Sequence, residues 1–237
     1  MDEPSIPPAL HRSEHVDRFN HDEDAADYDA DVRNESDPIR AGYTALLDWV
    51  AERAQVTPSS TVLELGSGTG NLTRLLPPGR RIVCVDVSAE MTRLAAAKLA
   101  GRSEIEFLQA DVLEALSHPA VHATAFDAIV STYTLHHLTE AEKRTFTAAA
   151  LERLAPGGRL VVGDLMCEDE AAQRHILDAY RAEGRGELAD EIEDEFFWDL
   201  AGARAQLDKV VASGGCASYA VRRFSELSWG LEAVAPG

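Results

Sequence analysis

Three closely spaced glycines follow an apolar run in the first third of the chain. The run from Val62 to Leu65 breaks into Gly66-Ser67-Gly68-Thr69-Gly70, and the pattern predicts that a helix begins at once. Glycines allow a sharp turn and a close approach of the backbone to a ligand. The free N–H groups at a helix start can bind polar ligand atoms. The sequence therefore predicts a nucleotide-sized binding loop between a buried strand and a helix.

Two carboxylates follow this loop, each at the end of a predicted strand. Asp86 ends the run Arg81-Ile82-Val83-Cys84-Val85, and Asp111 follows the run from Ile105 to Ala110. In open α/β sheets, ligands bind outside the carboxyl ends of the strands. An acid at a strand end can also serve only as a helix cap. Two such acids, in this order behind a glycine loop, favour a cofactor site.

The glycine spacing distinguishes two classes of cofactor. A dinucleotide-binding loop has a third glycine five residues after the first, but this chain has Asn71 at that place. The pattern Gly66-x-Gly68-x-Gly70 instead resembles motif I of the class I (Rossmann-like) S-adenosylmethionine-dependent methyltransferases. A nicotinamide oxidoreductase is the alternative that Asn71 and Asp111 disfavour.

Three further segments carry the same resemblance, which spans about residues 19 to 235 and is closest to small methyltransferases best known from bacilli. They are Ala26-Asp27-Tyr28-Asp29, the segment from Ser131 to Thr139, and the turn Leu154-Ala155-Pro156-Gly157-Gly158. The resemblance implies an α/β fold with a seven-stranded, mostly parallel sheet. Helices would cover both faces, the last strand would run antiparallel, and a helical lid would precede the sheet.

The expected domain organisation is simple. Residues 1–18 contain three prolines and many charges and are predicted to be a flexible tail. Residues 19–237 would form a single methyltransferase domain. Within it, residues 19–38 are the predicted lid, where Phe19 and Tyr28 would cover the cofactor. Residues 168–200 are a predicted insertion on the acceptor side, in which at least two of the three aromatics Phe196-Phe197-Trp198 would fill core.

The resemblance implies S-adenosylmethionine as cofactor and S-adenosylhomocysteine as product. Glu64 would lie near the methionine end, Asp86 would accept hydrogen bonds from two ribose hydroxyls, and Asp111 would face the adenine amino group. Val112 would pack on the adenine ring. The full set of expected cofactor-binding residues is Tyr28, Glu64, Gly66, Ser67, Gly68, Asp86, Val87, Met91, Asp111, Val112 and Ser131.

A polar segment after the fourth predicted strand would line the methyl-transfer face. His136 and His137 could take a proton from an acceptor hydroxyl or thiol at neutral pH, and Tyr133 is a third catalytic candidate. Alternatively, the histidines only shape the pocket, because methyl transfer depends largely on orientation and on the removal of water. No metal site is predicted, because Asp164 lacks acidic neighbours on other strands.

Composition limits the partners and the location. The formal net charge is −19, which disfavours polyanionic substrates such as nucleic acid. Only three of the 22 basic residues are lysines, a composition that fits either a halophilic source or an acidic surface in a GC-rich genome. No run of about 18 apolar residues indicates a membrane span, and no leader pattern begins the sequence. A cytoplasmic protein is expected, as a monomer or a homodimer.

The sequence predicts methyl transfer to a small molecule but leaves the acceptor open. One alternative is other sulfonium chemistry on the same cofactor, such as lysis or carboxyl-group modification. Another is a sensor or scaffold that binds the cofactor without turnover.

Overall fold

The predicted apolar runs become neighbouring strands of one mixed sheet. The computed structural model describes Leu10, Arg12, Ser13, Val16, Asp22 and residues 25–193 and 195–237. Its strands are β1 (Thr61–Leu65), β2 (Arg81–Asp86), β3 (Ile105–Gln109), β4 (Phe126–Thr132), β5 (Leu154–Cys167), β6 (Trp198–Asp199), β7 (Ser218–Arg223) and β8 (Ser228–Val234).

The strand order is β3-β2-β1-β4-β5-β8-β7. The first five strands in this order pair in parallel, and the last strand of the chain, β8, runs antiparallel to both β5 and β7. The predicted sheet is therefore confirmed. The two-residue strand β6 pairs with the end of β5 and adds an eighth strand to the seven expected.

Helices cover both faces of the sheet. They are α1 (Tyr28–Asp31), α2 (Tyr43–Arg53), α3 (Asn71–Leu75), α4 (Ala89–Lys98), α5 (Val112–Ser117), α6 (Pro119–His122), α7 (Glu140–Leu151), α8 (Glu170–Ala182), α9 (Gly186–Glu193) and α10 (Leu200–Ala212). Successive strand residues point to opposite faces. Accordingly, Leu63 and Leu65 belong to one hydrophobic cluster with α5, α7 and α10, and Val62 belongs to another with α2 and α3.

Two glycines let α2 pack closely on the sheet. Gly163 of β5 and Gly230 of β8 are register partners. A Cβ atom at Gly163 would lie 2.8 Å from the Leu46 side chain, and one at Gly230 would lie 2.3 Å from the ring of Trp49. The close fit fixes α2 over β5 and β8.

Helix caps fix where the helices after the strands begin. The Ser88 side chain accepts a hydrogen bond from the Met91 N–H at the start of α4. Thr139 and Glu142 form a capping box at the start of α7. Each cap satisfies backbone N–H groups that a helix start leaves without partners.

The described N-terminal residues approach the sheet. Leu10 and Ser13 are buried, and Leu10 belongs to the cluster formed with α5 and α7. Apart from these two residues and from Arg12 and Val16, the predicted tail lies outside the described residues. Phe19 of the predicted lid lies outside them too. The described part of the lid contains the single-turn helix α1 and the buried residues Ala25 and Val32. Among the described residues, no helix has the length and apolar character needed to cross a membrane.

Candidate active site

An open cleft lies at the carboxyl edge of the parallel strands, with about 740 Å³ of empty space. The cleft is lined by residues of the N-terminal segment, the glycine loop, the strand ends and the turn after β4: Ser13, Val16, Tyr28, Gly66, Gly68, Asp86, Val87, Ser88, Met91, Ala110, Asp111, Val112, Thr132, Tyr133, Thr134, His137 and Leu138.

The glycine loop is attached to the neighbouring strand through its backbone. The N–H groups of Gly66 and Ser67 both donate to the carbonyl of Val85, at 2.9 and 2.8 Å. Gly66 has a φ of 71°, and a Cβ there would lie 2.0 Å from Oγ1 of Thr134. Gly68 has a φ of 50° and faces open space. The loop therefore presents bare backbone to the cleft.

A polar cluster attaches the segment around α1 to the glycine loop. The Asp29 carboxylate accepts hydrogen bonds from Lys98 Nζ at 2.6 Å, Thr69 Oγ1 at 2.5 Å and Asn71 Nδ2 at 3.0 Å. Burial opposes ionisation of Asp29, but these contacts outweigh it and lower its pKa. Asn71 also donates to the Tyr43 hydroxyl at 3.2 Å. Asn71 stands where a dinucleotide-binding loop has its third glycine. Its bond to Asp29 helps to hold the neighbouring Tyr28 at the cleft.

Asp86 lines the cleft, and two hydrogen bonds fix the orientation of its carboxylate. Its Oδ2 accepts a hydrogen bond from the Gly68 N–H at 2.7 Å, and its Oδ1 accepts one from the Ser88 N–H at 2.9 Å. The carboxylate therefore connects the glycine loop to the start of α4. The role of Asp86 in binding the ribose stays a prediction.

Asp111 lies deeper, after β3. Its Oδ1 accepts hydrogen bonds from the N–H groups of Leu113 at 2.8 Å and Glu114 at 3.3 Å, so it caps α5. Burial raises its pKa, although these bonds and one from the Ser13 backbone partly oppose the rise. Val112 is buried beside it and lines the cleft. The helix-cap and ligand-binding interpretations of this acid are thus compatible, because one side chain can do both.

Three of the expected cofactor residues do not line the cleft. Glu64 is buried under the glycine loop, where its Oε2 accepts a hydrogen bond from Thr73 Oγ1 at 2.7 Å, and burial raises its pKa to about 8. Ser131 Oγ donates to the Leu65 carbonyl at 2.8 Å. Ser67 Oγ is buried and has no hydrogen-bond partner among the described residues. The eight other expected residues, from Tyr28 to Val112, do line the cleft.

The acceptor end of the cleft is formed by the turn after β4. Tyr133 has a φ of 48°, its hydroxyl lies 2.8 Å from Ser228 Oγ, and its ring packs on Tyr43 with 5.2 Å between ring centroids. Tyr133 and His137 line the cleft, whereas His136 does not. The turn therefore divides the three predicted catalytic residues between the cleft and the protein interior.

His136 is held by a fully buried carboxylate. Its Nδ1 lies 2.5 Å from Oδ1 of Asp164, which also accepts hydrogen bonds from the backbone N–H groups of Leu135 at 2.7 Å and Leu165 at 2.8 Å. Burial alone would raise the pKa of Asp164, but His136 and these N–H groups lower it. Since every described partner of this carboxylate can donate, the geometry assigns a proton to His136 Nδ1 and turns Nε2 toward Glu195.

Glu195 joins the two histidines from the acceptor-side insertion. Its Oε2 lies 3.3 Å from His137 Nδ1 and 3.9 Å from His136 Nε2. Burial, and secondarily His136, lower the pKa of His137 to about 4, against the opposing effect of Glu195. Sequence reasoning did not single out Glu195. The only signal was its position between an acidic stretch and an aromatic group, because it lies far from the histidines along the chain.

The insertion also forms a second cleft beside the first. It is lined by many acidic and aromatic side chains: Glu140, Cys167, Asp169, Glu170, Gln173, Glu193, Glu195, Phe196, Phe197, Trp198 and Asp199. Phe197 and Trp198 are buried, as expected for core-filling aromatics. Lys143 is fully buried. Its ammonium group donates a hydrogen bond to the Phe196 carbonyl and forms an ion pair with Glu140. Glu195 therefore stands between the second cleft and His137, which lines the first.

The side chains of the first cleft fit S-adenosylmethionine. Carboxylates at Asp86 and Asp111 can accept hydrogen bonds from hydroxyl and amino groups, and Val87, Met91 and Val112 supply apolar surface for a ring. A Cβ at Gly68 would enter open space, so the backbone there is accessible to a charged ligand end.

Comparisons with known proteins agree with this geometry. Residues 62–158 match the sequence model of a methyltransferase domain. The chain is 37% identical over 214 residues to an uncharacterized methyltransferase of Geobacillus kaustophilus, with 89% of this chain and 93% of that protein covered. It is 33% identical over 196 residues to the uncharacterized methyltransferase YrrT of Bacillus subtilis, with 81% and 84% covered.

A solved structure has the same fold. The magnesium protoporphyrin IX methyltransferase of Synechocystis, crystallised with bound S-adenosylhomocysteine, superposes with a TM-score of 0.61 at 18% identity. The superposition covers 93% of this chain and 98% of that one. The resemblance that the motifs indicated is therefore confirmed. This chain belongs to the class I S-adenosylmethionine-dependent methyltransferases, together with the small methyltransferases of bacilli, and S-adenosylmethionine is its cofactor.

Proposed function

We propose that this enzyme methylates a small molecule that binds beside Tyr133 and His137. The observation that carries the proposal is the lining of the cleft, to which Ser13, Val16 and Tyr28 of the N-terminal segment contribute beside Tyr133 and His137. A concave site lined from several sides favours a small acceptor, since methyl transfer benefits from the exclusion of water. The net charge of −19 further disfavours nucleic acid as acceptor.

The lining of the cleft supports the cofactor-binding roles that the resemblance implies. In this proposal Asp86 binds the ribose hydroxyls, while Asp111 and Val112 bind the adenine. The loop at Gly68, which faces open space, receives the methionine end. The bound cofactor supplies an electrophilic methyl group on a positively charged sulfur. Every other contribution is one of binding and orientation, which can supply a large part of the rate of such a bimolecular step.

The histidines contribute more to orientation than to proton removal. A general base is most effective when its pKa lies near the working pH, whereas the pKa of His137 is lowered to about 4. His136 is turned away from the cleft lining and toward Asp164 and Glu195. We therefore place the acceptor against His137 and Tyr133, with His136 as the positioning residue beneath the turn. The role of all three residues as acid or base catalysts stays a prediction.

An acceptor screen tests the proposal. The enzyme is incubated with S-adenosylmethionine and small thiols, hydroxyl compounds, amines, carboxylates and carbon acids, and S-adenosylhomocysteine and the methylated product are measured by mass spectrometry. We expect turnover with at least one small-molecule class. We also expect a lower kcat for His137→Asn, with unchanged affinity for S-adenosylhomocysteine.

The surface variant His175→Gln is the matched control, because His175 is exposed and lies outside the cleft. Turnover only with nucleic acid or protein would contradict the proposal. Consumption of the cofactor without S-adenosylhomocysteine would indicate other sulfonium chemistry. Tight cofactor binding without turnover on any acceptor would indicate a sensor.

A further inference from the structure

We propose that His136, His137 and Glu195 form a binding site for a divalent transition-metal ion of the zinc type. Two imidazole nitrogens and one carboxylate oxygen would be the protein ligands. Among the described residues, no other group of three or more histidine, cysteine or acidic side chains has its ligand atoms this close together. The site goes beyond the proposed function, because metal binding does not depend on the cofactor or on the acceptor.

The donor atoms already have nearly the spacing that such an ion requires. All three lie within 4.8 Å of one another, and Glu195 Oε2 is 3.3 Å from His137 Nδ1 and 3.9 Å from His136 Nε2. Zinc–ligand bonds of about 2.0–2.2 Å in a tetrahedron place neighbouring ligand atoms roughly 3.3–3.5 Å apart. Small side-chain rotations would close the remaining difference.

The surroundings of His136 match those of metal-binding histidines. A histidine that binds a metal usually donates its other ring N–H to a carboxylate or carbonyl, which fixes the tautomer. His136 Nδ1 lies 2.5 Å from Asp164, which is itself held by the backbone N–H groups of Leu135 and Leu165. The other ring nitrogen, Nε2, consequently faces Glu195 Oε2 at 3.9 Å. This orientation is what a metal ligand needs.

The backbone of the next residue, Phe196, holds Glu195 in this position through two hydrogen bonds. The Phe196 N–H donates to the carbonyl of His136 at 3.0 Å, and the buried Lys143 ammonium donates to the Phe196 carbonyl. The insertion is thus bonded directly to the histidine turn. Side-chain exposures of 6% for His136, 18% for His137 and 21% for Glu195 leave the group shielded but reachable from the cleft side.

An ion at this position would stand beside the cofactor cleft, because His137 is part of its lining. A divalent ion with three protein ligands keeps an open coordination position and lowers the pKa of a group bound there. An acceptor hydroxyl or thiol could then lose its proton without a general base. This role for the ion, unlike metal binding itself, depends on the proposed function.

Metal titration of the untagged enzyme tests the proposal without cofactor or acceptor. The protein is treated with a chelator, dialysed and titrated with Zn²⁺ in competition with a chromophoric chelator, and separately with Co²⁺ while the visible d–d absorption is recorded. We expect one equivalent of each ion to bind, with Co²⁺ bands typical of low coordination number. Mg²⁺ should not compete, because it prefers oxygen ligands to imidazole.

Paired variants decide whether the three residues are the ligands. We expect His137→Asn and Glu195→Gln to lose the stoichiometric Zn²⁺ and the Co²⁺ bands, whereas His175→Gln and Glu187→Gln, at exposed positions, keep both. Asp164→Asn should weaken Zn²⁺ binding by about 10- to 100-fold, as loss of an outer-shell partner does. A triple variant of His11, His15 and His21 should bind Zn²⁺ like the wild type.

Two results would overturn the proposal: a wild type that binds no Zn²⁺ or Co²⁺, or undiminished binding in both His137→Asn and Glu195→Gln. Near-ultraviolet circular dichroism of each variant separates loss of a ligand from loss of the fold. Failure here leaves the methyltransferase proposal untouched, since the acceptor screen measures a different quantity.

Discussion

The two ends of the cleft are built in different ways. At the cofactor end, Asp86 and Asp111 accept hydrogen bonds from backbone N–H groups of nearby loops and helix starts. At the acceptor end, His136, Asp164 and Glu195 contact one another through side chains that come from three separate segments. The first arrangement depends on strand and loop geometry that a family can keep, whereas the second can be changed by single substitutions.

Two buried carboxyl groups, one below each end of the cleft, differ in their pKa. Glu64, below the glycine loop, has the Thr73 hydroxyl as its donor, and burial raises its pKa to about 8. Asp164, below the histidine turn, is surrounded by N–H donors, and its pKa is lowered despite burial. The cofactor end therefore contains a neutral acid as part of its packing, and the acceptor end contains a charged one that orients a histidine.

The largest effect on ligand binding is expected at the glycine loop. In Gly66→Ala, the new Cβ would lie 2.0 Å from Thr134 Oγ1, so the loop must move away from the turn after β4. We expect loss of S-adenosylhomocysteine binding by calorimetry and a decrease of about 3 kcal/mol in the free energy of unfolding, from overpacking and backbone strain. Gly184→Ala is the control, because Gly184 has a φ of 80° and no atom near its Cβ position. Equal effects for the two variants would mean that the loop contact is unimportant.

Glu64, which keeps its proton in the folded protein, should make the free energy of unfolding depend on pH. The pKa of Glu64 is about 8 in the folded protein and about 4.3 in an unfolded chain, so the folded state keeps a proton that the unfolded state releases. Stability should therefore fall as pH rises from about 4.5 to 8, by roughly 4 kcal/mol at the upper end. Glu64→Gln should lack this fall when urea unfolding is compared at pH 5 and pH 8.

The exposed strand residue Glu106 provides the control for this measurement, since Glu106→Gln should leave the pH dependence as it is in the wild type. A Glu64→Gln curve parallel to the wild-type curve would show that Glu64 is ionised in the folded protein. In that case the contrast between the two buried carboxyl groups would be wrong.

A moderate effect is expected at the ribose-binding position. Asp86→Ala should weaken S-adenosylmethionine binding by about 2 kcal/mol, in line with the loss of hydrogen bonds to a charged group. The matched variant is Asp127→Ala, because Asp127 also accepts a backbone N–H at 2.7 Å, from Thr61, but at the opposite edge of the sheet. Calorimetric titration of both variants should show the loss only at Asp86. An equal loss at Asp127 would point to general destabilisation.

The smallest effect is expected at the acceptor end. Tyr133→Phe removes the contact of the hydroxyl with Ser228 Oγ and leaves a buried serine without that partner, which should cost about 1 kcal/mol in unfolding free energy. Tyr219→Phe removes an exposed hydrogen bond to Asp208 and should cost little. If Tyr133→Phe also lowers kcat with S-adenosylhomocysteine binding unchanged, the hydroxyl acts on the acceptor. An unchanged kcat would limit its role to structure.

Much of the fold and of the cofactor end could be predicted because the signals are local. The sheet, the caps at Ser88 and Thr139, and the cleft positions of Gly68, Asp86 and Asp111 follow from short segments in which strand, turn and helix start are contiguous. For Glu64 the resemblance implied only a place near the methionine end of the cofactor. Strand alternation directs its side chain into the packing beneath the loop, where it meets Thr73.

The sequence by itself determined the class of enzyme, the cofactor and the order of the elements, because each rests on patterns a few residues long. Only the tertiary structure decided which side chains meet at the acceptor end. Glu195 reaches the histidines because the insertion after β5 folds back and bonds to the turn after β4. Contacts between distant segments depend on how whole elements pack, and no local spacing encodes them. The metal-ligand geometry therefore appeared only in the folded chain, although its three residues are all present in the sequence.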